Sequence, residues 1–134
     1  MKKKIISTLL AVLVIASVVA PSALAAQTFN TTLNFTQSFS GQTRNYRYNH
    51  IRHLATASAP TAGATGENFS VALVRGSVEG VPAVGFANVP RNGATMVRFN
   101  NVGSGNYHFR YTRSNDGIRI TSNDVVLQSR STAW

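Results

Sequence analysis

Residues 106–121 read NYHFRYTRSNDGIRIT. Tyr107, Phe109 and Tyr111 alternate with Asn106, His108, Arg110 and Thr112. A period of two marks a strand with one buried face. Ser114-Asn115-Asp116-Gly117 is a four-residue turn, with glycine where a positive φ is cheap. Ile118 and Ile120 then resume the alternation. The pattern predicts a hairpin pairing Arg113 with Ile118, Thr112 with Arg119 and Tyr111 with Ile120. That register collects the aromatics and isoleucines on one face and His108, Arg110 and Arg119 on the other.

The same texture extends outward. Phe29, Thr31, Leu33, Phe35, Gln37 and Phe39 share one face of the first segment, opposite Thr28, Asn30, Thr32, Asn34 and Thr36. Strands are expected near 27–40, 44–54, 68–75, 81–87, 94–100, 106–113, 117–121 and 124–129, because short apolar runs rich in Thr, Val, Phe and Tyr are punctuated by Gly, Asn, Asp and Pro. Residues 55–66, ATASAPTAGATG, read as a flexible Ala/Thr/Gly surface loop. The expected fold is all-β: a single antiparallel β-sandwich of about 7–8 strands. The stretch from Val97 to Val126 resembles the closing strands of an immunoglobulin-like or jelly-roll-like sandwich, a likeness of fold only.

The N-terminus reads differently. Lys2, Lys3 and Lys4 precede an apolar run from Ile5 to Ala20, then Pro21, Ser22 and Ala23-Leu24-Ala25. This is the layout of a secretory signal peptide cleaved after Ala25. The run is shorter than the roughly 20 apolar residues of a spanning helix. The expected organisation is a signal helix at 1–25 and a secreted domain at 26–134, with no transmembrane anchor. Every lysine lies in the signal, so the domain carries ten arginines against Glu67, Glu79, Asp116 and Asp124, a formal charge of +6. There is no cysteine, so burial and backbone pairing must supply the stability. A bacterial, Gram-positive-style origin suits an exported domain without disulfides.

Two basic groups are candidate anion sites. If residues 94–100 pair beside the hairpin with Thr95, Val97 and Phe99 inward, Arg98 joins His108, Arg110 and Arg119 in an exposed patch. Arginine forks suit phosphate and carboxylate. The second group is Arg44, Tyr46, Arg47, Tyr48 and Arg52, where basic and aromatic residues interleave. Arg44, Tyr46, Tyr48, His50 and Arg52 would share one strand face. Both groups have a plainer reading, in which arginines keep outer faces soluble and block edge pairing.

Chemistry is harder to find. No G-x-S-x-G elbow occurs, and Asp116 and Asp124 read as turn residues rather than a carboxylate pair across a cleft. Gly103-Ser104-Gly105 reads as a turn. His50 and His53, three apart on a strand, point to opposite faces, so no metal site is expected. No glycine-rich phosphate loop precedes a helix, and no cofactor is expected. The composition points to a non-enzymatic extracellular binding protein whose partner is an anionic cell-wall or matrix polymer, or an envelope surface, rather than cytoplasmic nucleic acid. The alternative is an antimicrobial or toxin-like protein acting on competing cells; a small hydrolase or an inhibitor has less behind it.

Overall fold

The computed structural model describes residues 26–59, 68–114 and 116–134. The expected signal segment, residues 1–25, and residues 60–66 of the expected flexible loop lie outside the described residues. Nine strands are seen among them: β1 (Gln27–Phe35), β2 (Ser38–Ser40), β3 (Arg44–Tyr46), β4 (His50–Ala57), β5 (Asn68–Arg75), β6 (Gly85–Pro90), β7 (Gly93–Phe99), β8 (Gly105–Thr112) and β9 (Ile120–Arg130). They form two antiparallel sheets packed as a sandwich. Sheet A has the order β1-β9-β4-β7; sheet B has β2-β8-β5-β6, with β3 also paired to β8.

The alternation read from the sequence places the core. Tyr107, Phe109 and Tyr111 of β8, and Phe69, Val71 and Leu73 of β5, point inward from sheet B. Leu33 and Phe35, Ile51, Val97 and Phe99, and Val125 and Leu127 meet them from sheet A. Aromatic edges meet faces across the gap, as where Phe35 abuts Phe69 at 5.7 Å between centroids and Phe99 abuts Phe109 at 6.0 Å. Such contacts add roughly 0.5–1.5 kcal/mol each beyond their burial.

Three expectations fail, the first two for a long-range reason. The predicted hairpin does not form. β8 pairs with β2, β3 and β5 in sheet B, while β9 pairs with β1 and β4 in sheet A. The turn after β8 therefore crosses between sheets. Tyr111 and Ile120 are both buried, but they face each other's sheet instead of sharing one. The expected strands at 27–40 and 44–54 likewise each split, sending β1 and β4 to sheet A and β2 and β3 to sheet B. Finally, β4 runs through Ala57, and Ser58 bridges to Thr121. Ala55, Ala57 and Ala59 are buried there, so the first part of the expected loop is a strand with small inward side chains.

The crossover is clamped. Asp116 accepts from Arg91 Nη1 at 2.9 Å and pairs with Arg113. Its second oxygen accepts from the Ile118 N–H at 2.9 Å. Arg91, in the β6–β7 turn, is almost fully buried. The carboxyl is held well below the ordinary range, first by the Ile118 N–H and then, against desolvation, by the two guanidiniums. Asp116 lies in a turn, as expected, but Asp124 does not. It sits within β9 at a bulge, where Thr31 pairs with Val125 but Leu33 with Ser122. Its carboxylate accepts from the Thr56 N–H and Ser122 Oγ, bringing its pKa down to about 2. Asp116→Asn is expected to destabilise the domain more than Asp124→Asn, because only the former removes a charge paired with a buried arginine. Urea midpoints of the two variants check this; equal midpoints would refute the clamp.

Candidate functional site

On the outer face of sheet A the register aligns Thr28, Gln128, Arg52 and Arg98 in one cross-strand row. His50 and Arg130 face each other in the next row. Inward residues Val125, Leu127 and Ser129 force Val126, Gln128 and Arg130 outward. Two arginines directly opposite each other, Arg52 and Arg98, repel. Arg52 responds: its pKa is lowered by desolvation and by the charges of Arg130 and Arg98.

The row is held by neutral partners. Arg52 Nε donates to Gln128 Oε1 at 2.7 Å, and Gln128 Nε2 donates to Thr28 Oγ1 at 3.3 Å. The chain after β9 folds back, and Trp134 inserts its indole between two guanidiniums. Arg52 lies 3.7 Å from the ring centroid and Arg130 4.0 Å. Arg130 also donates to the carbonyls of Thr132 and Ala133. Each such cation–π contact contributes roughly 0.5–2 kcal/mol. Stacking occupies the flat faces of the guanidiniums and leaves N–H groups at their edges for an anion. Among the described residues, no side-chain carboxylate lies within ion-pair distance of Arg52, Arg98 or Arg130.

The predicted patch of Arg98, His108, Arg110 and Arg119 is not one surface. Arg98 has the expected outward parity, but on β7 of sheet A beside β4. His108 and Arg110 face outward from β8 in sheet B. Arg119 precedes β9 and donates to Asn34 Oδ1 at 2.8 Å. The fault lies in the hairpin assumption, which put all four on one sheet.

The second predicted group is also dispersed. Tyr46 is buried between Phe29 and Tyr107, and desolvation pushes its phenol well above the ordinary range. Arg44 lies over Phe29 at 4.9 Å. Arg47 is exposed in the crossing loop and Tyr48 is half-buried there. Only Arg52 joins the sheet A row. The shared face expected for Arg44 through Arg52 is lost because β3 and β4 belong to opposite sheets.

His50 and His53 do face opposite ways. The His50 ring lies 3.1 Å from Asn100 Oδ1. His53 is sealed in the core, 3.0 Å from the Tyr111 hydroxyl and packed on Phe109. Burial drives its pKa from 6.5 down to about 4.

Arg130 and Trp134 complete the sheet A cluster but were not among the sequence candidates. The alternation of 125–130 assigns Arg130 its face; the docking of Trp134 depends on a chain reversal with no local signature. On sheet B, Ser38, Ser40, Glu79 and Gly80 join His108 and Arg110 around a shallow cavity of about 200 Å³. No protein-family model matches the chain, and a search of curated proteins finds no match.

Proposed function

We propose that the domain is an exported, non-enzymatic binding module that holds anionic cell-wall or matrix polymers against the outer face of sheet A. The observation that carries this reading is the cluster of Arg52 and Arg130 stacked on one indole, with Arg98 directly opposite Arg52, and no side-chain carboxylate paired to any of the three among the described residues. Keeping like charges together costs stability, and an anionic chain laid across the row relieves that cost. A strand platform with fixed arginines suits a repeating anion better than a single small one. Export follows from the layout of residues 1–25.

Heparin and a teichoic-acid-type polymer, each immobilised, test the proposal. The R52Q/R98Q/R130Q variant is expected to elute at clearly lower salt than wild type. R44Q/R47Q/R119Q, which removes the same charge elsewhere, is expected to elute near wild type. Equal losses for the two triple variants would reduce the interaction to net charge and sink the site.

A further inference from the structure

The outer face of sheet B holds a second, differently built site. The β5–β6 connection folds back over the sheet and covers His108, which is only 3% exposed. His108 Nδ1–H donates to the Gly76 carbonyl at 2.7 Å. In the neutral ring that bond places the proton on Nδ1 and leaves Nε2 as an acceptor. Nε2 has no protein partner and is not sealed from solvent, and His108 lines the cavity. Ser40 pairs with Arg110 across the strands, and Ser38 lies two residues away on the same face. Arg110 makes no hydrogen bond or ion pair to any described residue. Glu79 lines the same cavity from the folded-back loop.

Donors and acceptors are therefore both present in one pocket. Arg110, Ser38 and Ser40 can donate to phosphate oxygens. Glu79 and His108 Nε2 can accept from an ammonium group. We propose that this pocket binds a phosphodiester of a short amino alcohol whose primary amine is free. A simple phosphate would meet Glu79 as a repelling charge, and a simple amine would meet Arg110; a zwitterion satisfies both. Val78, 66% exposed, stands next to Glu79 on the loop, and Phe86 of β6, 71% exposed, lies in the same cross-strand row as Ala72 and Arg110, so two exposed apolar side chains stand on the pocket's side of the sheet. No sheet A residue lines this pocket.

The test is a titration of the purified protein with glycerophosphoethanolamine, and with glycerophosphoglycerol as the amine-free control, followed by NMR of the His108 imidazole and the Arg110 side chain. Saturable shifts are expected, with about tenfold tighter binding of the amine-bearing ester, a difference of about 1.4 kcal/mol. R110Q is expected to abolish binding of both esters. E79Q is expected to bring the amine-bearing ester down to the level of the control without weakening the control. R52Q/R98Q/R130Q is expected to bind like wild type, which separates this site from the polymer face. Arg110 and Glu79 are surface residues, so both variants should fold. Absence of saturable shifts up to about 10 mM, well above a millimolar Kd, would overturn the proposal. So would equal affinity for the two esters, or indifference to E79Q. Binding to phosphatidylethanolamine vesicles that is lost in V78S/F86S identifies the ester as a lipid headgroup and supports the proposal. Binding of the soluble ester without vesicle retention supports it with a free or polymer-borne source.

Discussion

Folding stability is expected to fall by about 3 kcal/mol as the pH drops from 6.5 to 4, with His53 responsible. The imidazole is fully buried, and its Nδ1 has no hydrogen-bond partner. Protonation there would place a charge among Phe109, Tyr111 and the rest of the aromatic core. The unfolded chain takes up a proton as the pH falls through 6.5, whereas the folded chain resists until about 4. Over that window the unfolded state binds more protons, so acid favours unfolding. Stability is complete above 6.5 and the loss levels off below about 4, where both states are protonated. The carboxylates act in a lower window. The stabilisation from Asp116 and Asp124 is present above their ordinary 3.8 and is lost as the pH falls below it. Urea denaturation across this range should give a sloping free energy for wild type and a nearly flat one for His53→Gln above pH 4. A flat wild-type profile would mean that His53 is not held neutral. Because the readout is the slope, any constant cost of losing the ring does not confuse the test.

Phe109→Ala is expected to cost about 3–5 kcal/mol, a large share of the roughly 5–15 kcal/mol that holds a domain of this kind together. Phe109 is the hub of the aromatic core, touching His53, Phe99 and Tyr111. It also forms part of the wall of a crevice of about 150 Å³ between the sheets, with Phe39, Tyr111 and Leu127. The crevice opens where β2 gives way to β3 and the edge of sheet B is interrupted. Removing the ring would join that space to the core. The neighbouring rings belong to strands fixed by their ladders and cannot collapse into the gap, so the cost belongs with large-to-small changes at rigid sites. Phe109→Leu, which keeps most of the volume, is expected to cost less than half as much. Chemical denaturation of both variants checks this. A loss below about 1 kcal/mol for Phe109→Ala would show that the crevice side of the core is already loose.

The alternation of individual strands was readable because it is local. Tyr107, Phe109 and Tyr111 inward, Arg98 and Arg110 outward, and Leu33 and Phe35 inward all follow from a period of two. Sheet membership was not readable in the same way. A turn such as Ser114 to Gly117 joins partners within one sheet or strands of opposing sheets with the same residues and the same inward parity. The choice depends on which strands already flank β5 and β4. The Asp116 clamp to Arg91 gives the crossover its own stabilisation, but it links positions 25 residues apart. The Ala55, Thr56, Ala57, Ser58, Ala59 run carries the strand period openly. It read as a loop because alanine contributes little apolar weight, although a small side chain is what a crowded interior position needs. The candidate site suffered from the sheet error more than from any misread side chain. Arg98 and Arg52 both stand out in the sequence, but in separate groups, and only the pairing of β4 with β7 sets them opposite each other. Trp134 could be placed only by the fold.

The salt dependence of polymer binding tests the sheet A face most directly. Each arginine that neutralises an anion on a highly charged chain releases counterions and contributes a slope of roughly 0.7–0.9 in log K against log salt. Wild type is therefore predicted to show a slope steeper than R52Q/R98Q/R130Q by about 2–3 units, while R44Q/R47Q/R119Q keeps the wild-type slope. Parallel lines for wild type and R52Q/R98Q/R130Q would contradict the account, because they would mean that these three arginines do not touch the polymer.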